Sequence, residues 1–269
     1  MNLLLSFERL RDYWAVNDNV VCHVSFGPRR GAALARRFTK AGHTVTIANS
    51  RGPESLTELA QEIKATPVSL LDVVKDVDLL VVAVPMKNIP DLPKNVLDCL
   101  SESAIVVDTC NYYPSIRDGV IEAIEKGLTQ SEWVAHQLGR PVVKAFNNIL
   151  KERLIDGRQP KGQNGRIALP VAGDDSAAKE TIIKLMDTLG FDGLDAGSLQ
   201  DSWRQQPGTP CYCTDLRKPA LSEALSSADR SASPEMALKV YQRWTGLPSD
   251  ATSDDLLRQI RGAWPDLVI

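Results

Sequence analysis

The sequence predicts an α/β protein with a doubly wound, Rossmann-type parallel sheet and a C-terminal helical tail. Three observations carry this prediction. Residues 20–51 (VVCHVSFGPRRGAALARRFTKAGHTVTIANSR) run apolar stretch, glycine-bearing turn, helix-forming stretch and second apolar stretch, at the spacing of a nucleotide-binding βαβ unit. Apolar, β-branched runs then alternate with helical patterns to about residue 197, through connections short enough for one open sheet. From residue 202 the alternation stops, and WRQQPGTPCYCTD gives way to helical patterns alone. The expected organisation is an N-terminal extension (1–19), a Rossmann-like domain (20–201), and an irregular segment with a helical tail (202–269).

The elements follow in order. Residues 20–26 read as a first buried strand, 31–41 as a helix with Ala33, Leu34, Ala35 and Phe38 on one face, and 43–48 (HTVTIA) as a second strand. Gly42 marks the helix end. Pro53 opens a helix to about residue 64, because its missing N–H would be unsatisfied there anyway. A short strand at 67–69 and a short helix at 69–75 lead to 78–84 (DLLVVAV), the clearest central strand. Residues 89–100 read as a helix with prolines at its start, 104–109 as a strand, 116–126 and 131–138 as helices, and 141–146 (PVVKAF) as a strand. Residues 167–172 and 190–195 are further strands around a helix at 176–189, capped by Asp174 or Asp175. The tail reads as three helices, 218–227, 234–244 and 253–264, folded back on the sheet or on a second subunit.

The bulk composition narrows the partners. With 269 residues and 43% hydrophobic content the chain can bury a large core. A net charge of -3 argues against a sequence-independent hold on nucleic acid or an anionic membrane, which leaves a small molecule as the expected partner. Five cysteines, an odd number with three in or beside apolar runs, suit a reducing cytosol. No apolar run reaches membrane-spanning length, and residues 3–7 are too short for a signal-peptide core, so the expected location is cytoplasmic. Residues 1–19 read either as an amphipathic helix or as a misplaced gene start.

The glycine turn departs from the G-x-G-x-x-G pattern. Only Gly27 and Gly31 stand in it, and neither register restores the motif, since Pro28 or Arg29 falls at the second position. Arg29 and Arg30 place two cations where phosphates would sit and can replace lost backbone contacts. A tight strand-to-helix turn with solvated arginines fits the same residues. The end of the second strand is more informative. An NAD site places Asp or Glu there for the ribose hydroxyl, whereas a 2'-phosphate needs donors and positive charge. This chain has Asn49, Ser50 and Arg51, which points to NADP(H).

The stretches ANSRGPESL (48–56), AVP (83–85), VVDTCNYYP (106–114), VVKAFNN (142–148), LPVAGDD (169–175), DAGSL (195–199) and SWRQQPGTPCYCTDL (202–216) resemble the NADP oxidoreductases of the coenzyme F-420-dependent type. There is a more distant similarity to the reductase domain of metalloreductases. The resemblance spans roughly residues 20–216. It implies an often dimeric NADP-binding fold that moves hydride between the nicotinamide and a deazaflavin such as coenzyme F-420, or a flavin, held face to face with it. Such chemistry needs orientation and a dry cleft more than acid–base help, and no catalytic dyad is apparent. By position, Ser50 and Arg51 would hold the 2'-phosphate, Val84 and Pro85 border the adenosine half, and Ala145, Phe146 and Asn147 line the nicotinamide end.

Other residues are open to two readings. Lys144 could protonate an imine nitrogen, or be solvated or paired. Tyr112 and Tyr113 could stack on a planar ring or be buried aromatics. Trp203, Arg204 and Gln205 are candidates for a second wall of the cleft. Cys211 and Cys213 are too close for zinc spacing, and His23, His43 and His136 are scattered, so no metal site is expected. The functional readings are an NADPH-dependent oxidoreductase with a deazaflavin, flavin or small unsaturated acceptor, and, against it, a nucleotide-sensing or structural module whose phosphate turn is lost.

Overall fold

The computed structural model describes residues 20–25, 30–248 and 250–265. The N-terminal extension (1–19) and the glycine turn with Gly27 and Arg29 therefore lie outside the described residues. Strand β1 (Val20–Ser25) is followed by helix α1 (Arg30–Lys40) and β2 (Thr44–Ala48). A 3-10 turn (Pro53–Leu56) leads into α2 (Thr57–Ile63), then β3 (Thr66–Pro67) and β4 (Leu79–Ala83). Next come a 3-10 segment (Met86–Asp91), α3 (Lys94–Asp98) and β5 (Ile105–Asp108). One π-helical turn (Pro114–Asp118), α4 (Glu122–Glu125) and α5 (Gln130–Leu138) precede β6 (Val143–Lys144). The chain continues through α6 (Lys151–Asp156), β7 (Ala168–Val171), α7 (Ser176–Leu189) and β8 (Asp192–Asp195). After a 3-10 turn (Gln200–Gln205) come the tail helices α8 (Lys218–Ser226), α9 (Ser233–Thr245) and α10 (Ser253–Arg261).

Six strands form one parallel sheet in the order β3-β2-β1-β4-β5-β6. The period-2 geometry of a strand sorts its side chains to opposite faces. Val81 and Val107 join Phe38, Ile47, Phe146 and Phe191 in one core layer, while Val82 and Val106 join Met86, Trp133 and Val134 in the other. The single open sheet expected from the alternation is not formed. β7 and β8 pair parallel as a separate two-stranded sheet, tied to the main one by an antiparallel bridge between Lys144 and Ala172. The chain has reversed direction by that point, so β7 and β8 cannot extend the parallel ladder.

Local chemistry sets the element ends. Thr129 and Glu132 form a capping box at the start of α5, and Gly139, at φ 64°, ends it. Asp175 caps α7 by accepting from the N–H groups of Ala177 and Ala178, whereas Asp174 is taken by the N–H of Leu199. The helix expected over 89–100 is replaced by a 3-10 segment and a short α3, since Pro90 and Pro93 bring no N–H to an α-helical ladder. The helix expected over 116–126 is broken at Gly119, at φ 72°. Residues 69–75 form hydrogen-bonded turns rather than a helix.

Candidate active site

Parallel strands place their C-terminal ends along one edge, and the chain leaves β1 toward β2 on one side and returns as β4 on the other. The crevice above that switch point is where open α/β sheets take ligands. A cleft of about 490 Å³ opens along this edge. Its floor carries Ala83, Val84 and Pro85 after β4, and Thr109, Cys110 and Asn111 after β5. Arg30, at the start of α1, and Tyr113 and Tyr212 border it, and α9 and α10 roof it through Val240, Tyr241, Trp244, Leu256 and Ile260.

At the end of β2, Asn49 is buried and Ser50 and Arg51 are exposed. The Asn49 amide holds the turn: its Nδ2 donates to Ser55 Oγ at 2.9 Å, and its Oδ1 accepts from the Arg51 N–H at 2.8 Å. Asn49 therefore shapes the loop, while Ser50 and Arg51 stay exposed on it. Gly31 is buried in the first turn of α1. Arg30 is turned inward, where its Nη1 donates to the carbonyls of Asn147 at 2.7 Å and Thr109 at 3.4 Å.

The segment 144–147 is framework. Phe146 is fully buried at φ 58°, packs edge-on against Phe38 and does not line the cleft. Ala145 lies in the same core layer. Asn147 Nδ2 donates to Asn111 Oδ1 and to the Gln205 carbonyl, and Gln205 Nε2 donates back to Asn147 Oδ1 at 3.0 Å. Any ligand contact from this segment would come from its backbone. Lys144 is fully buried, paired with Asp108 at 3.0 Å and bonded to the Cys110 carbonyl. Asp108 also accepts from the Cys110 N–H and the Ser131 hydroxyl, both at 2.7 Å.

The other candidates separate in the same way. Tyr113 lines the cleft, whereas Tyr112 points its hydroxyl at Glu125. Trp203 is stacked by Arg204 and Arg230, and the second wall is formed by Pro207 and Gly208 instead. Burial pushes the Cys213 thiol up to about 12, so it is protonated and unreactive. No group of metal-ligating side chains occurs among the described residues, and no described helix is long and apolar enough to cross a membrane.

Sequence reasoning missed the tail as the roof of the cleft. Two devices hold it there. Gly208, at φ +87°, lies so close to α9 that a Cβ would stand 1.9 Å from the Ser233 carbonyl. Asp215 ties α6 to α10: Arg153 Nε meets its carboxylate at 2.9 Å, and Arg261 donates to the carbonyls of Thr214 and Asp215. Cys213 and Asp215 both adopt positive φ, 58° and 51°, an uncommon conformation held by these contacts. The spacing of aromatics in α9 and the two positive-φ positions carried no local signal of this role.

Strand order and crevice together define a Rossmann-type α/β protein. Residues 29–112 match the family described as NADP oxidoreductase coenzyme F420-dependent. The chain belongs to this family of NADP-dependent oxidoreductases. It is 35% identical over 114 residues to the protein YjhV of Escherichia coli (strain K12), covering 42% of this chain and 83% of that one. The hypothetical protein SMa0349 from Sinorhizobium meliloti superposes with a TM-score of 0.63 at 30% identity, over 77% of this chain and 99% of that one. A candidate F420-dependent NADP reductase from Arthrobacter sp. FB24 superposes with a TM-score of 0.56 at 21% identity, over 69% and 87% of the two chains, and at that identity the likeness supports the fold.

Proposed function

We propose that the protein is an NADPH-dependent oxidoreductase whose hydride partner is a deazaflavin, a flavin or a small unsaturated compound. The observation that carries the reading is the exposed Ser50–Arg51 pair after the C-terminal end of β2, the neighbour of β1 in a chain that belongs to an NADP family. The donor set fits the cofactor: Arg51 and the Ser50 hydroxyl suit a 2'-phosphate, and Val84 and Pro85 supply an apolar edge for the adenosine half. When bound, NADPH supplies the hydride. The chain's residues orient and exclude water: Asn49 fixes the phosphate-binding loop, the Asn111–Asn147–Gln205 network holds the strand ends, and the tail helices cover the cleft. The two cleft tyrosines are neutral at physiological pH, because burial raises both phenols.

Titration with NADPH, followed by nicotinamide fluorescence, tests the proposal. Saturable binding is expected, tighter for NADPH than for NADH, and no binding at millimolar NADPH would end it. One observation favours a second reading, a non-catalytic nucleotide-sensing or structural module: Arg30 already bridges the carbonyls at the ends of two strands. Binding of NADPH without oxidation in the presence of F-420, flavin or carbonyl acceptors would select that reading.

A further inference from the structure

The cleft has two chemically different ends. At its floor, Arg30 uses only Nη1 in its bonds to the Asn147 and Thr109 carbonyls, which leaves its Nε and Nη2 protons outside those bonds. The phenol oxygens of Tyr113 and Tyr212 are 2.7 Å apart. That bond takes one of the two phenolic protons and leaves the other to donate elsewhere. Among the described residues, the titratable groups that act on Arg30 are these two phenols, of which Tyr212 is also hydrogen-bonded to it, and the Cys213 thiol, none of them a carboxylate. Arg117 is already matched by the buried carboxylate of Asp118 at 2.8 Å. The floor is therefore rich in donors, and no acid among the described residues offsets the Arg30 charge. At the roof, Val240 and Trp244 of α9 and Ile260 of α10 offer an apolar, partly aromatic surface.

We propose that the cleft recognises a small apolar carboxylate, its carboxylate on Arg30 and the Tyr113–Tyr212 pair and its hydrocarbon body against α9 and α10. A volume of about 490 Å³ suits one ligand of modest size. As the seat of the hydride acceptor, the pocket rests on the NADPH reading; as a binding site, it stands apart from it.

The test is calorimetric titration of the full chain with 3-phenylpropionate and with 3-phenylpropanamide, which has the same body without the charge. The acid is expected to bind at least tenfold tighter than the amide. Arg30→Gln should remove that preference and leave the amide's affinity in place, while Trp244→Ala should weaken both ligands alike. Should Arg30→Gln fail to fold, Tyr212→Phe keeps the ring, loses the hydroxyl and is expected to reduce the preference severalfold. Equal binding of acid and amide, no binding of either at millimolar concentration, or a preference that survives both floor variants overturns the proposal. Saturating NADP+ separates the two readings. If it expels the acid competitively, the donors belong to the nucleotide and this proposal falls while the NADPH reading stands. If the acid binds as expected and NADPH does not bind at all, the NADPH reading falls instead.

Discussion

Replacing Lys144 by methionine removes the cation from a pair that lies wholly inside the protein. The Asp108 carboxylate, fully buried, would be left with the Cys110 N–H and the Ser131 hydroxyl as partners, and the Cys110 carbonyl would lose a donor. Breaking a buried pair by deleting one member costs about 3–5 kcal/mol, because the remaining charge has nowhere to go. For a chain of this size each kcal/mol lowers the melting temperature by roughly 2–4 °C, so a fall of roughly 6–20 °C is expected. The double variant Lys144→Met/Asp108→Asn should recover part of the loss, since it leaves no uncompensated charge. Thermal and urea denaturation of the parent, both single variants (Lys144→Met and Asp108→Asn) and the double variant measure this directly. At temperatures where the single variant is folded, NADPH binding should persist, as Lys144 does not line the cleft. A melting point within about 2 °C of the parent, which by the same scaling is less than the cost of a broken buried pair, would refute the argument, as would strictly additive single losses.

Arg51→Asp should weaken NADPH by roughly 10–100-fold, the scale of a lost charge-assisted contact, and NADH far less; equal losses would show that Arg51 is not on the 2'-phosphate. Gly208→Ala forces a Cβ to 1.9 Å from the Ser233 carbonyl at a backbone φ of +87°. A cost of about 1–3 kcal/mol is expected, together with faster acrylamide quenching of tryptophan as α9 moves off the cleft; unchanged quenching and melting would contradict the close approach. Asp215 has its carboxyl pushed up to about 6, chiefly by burial and against the pull of Arg153 and Arg261. Its folded pKa lies above the unfolded value of about 3.9, so the folded state holds the proton better, and this group's contribution, about 2–3 kcal/mol in favour of folding at low pH, is lost as pH rises from about 4 to about 6. The stability of Asp215→Asn relative to the parent should therefore rise with pH across that window, and parallel melting curves would refute it.

The sheet was legible because its strands are buried on both faces and read as unbroken apolar runs, as in LLVVA of β4 and IVVD of β5. The tail helices were legible from their helical patterns and from Ser233 and Pro234 at the start of one of them, while the Thr252–Asp255 capping box at the start of α10 is seen only in the structure. What escaped was long-range. The amides of Asn111, Asn147 and Gln205 meet only in the folded chain, so neither their hydrogen-bonded network nor the packing of Phe146 into the core could be read from the local sequence. Lys144 looked like a strand-end lysine open to solvent or pairing, and the partner that buries it lies on β5. The separate β7–β8 sheet escaped because alternation of strand and helix carries no information about a reversal of direction.

The roof over the cleft also has a consequence in time. Everything from β1 to β8 leaves the ribosome before the helices that span Lys218 to Arg261. At a synthesis rate of about 5–20 residues per second, those helices arrive over about 2–9 s. During that interval the C-terminal edge of the main sheet, with Val84 and Pro85 after β4, has no helical cover from α9 and α10. A ligand already seated on that edge would give the arriving helices a surface to close upon, so the yield of native protein in cell-free synthesis becomes a readout of what the cleft holds.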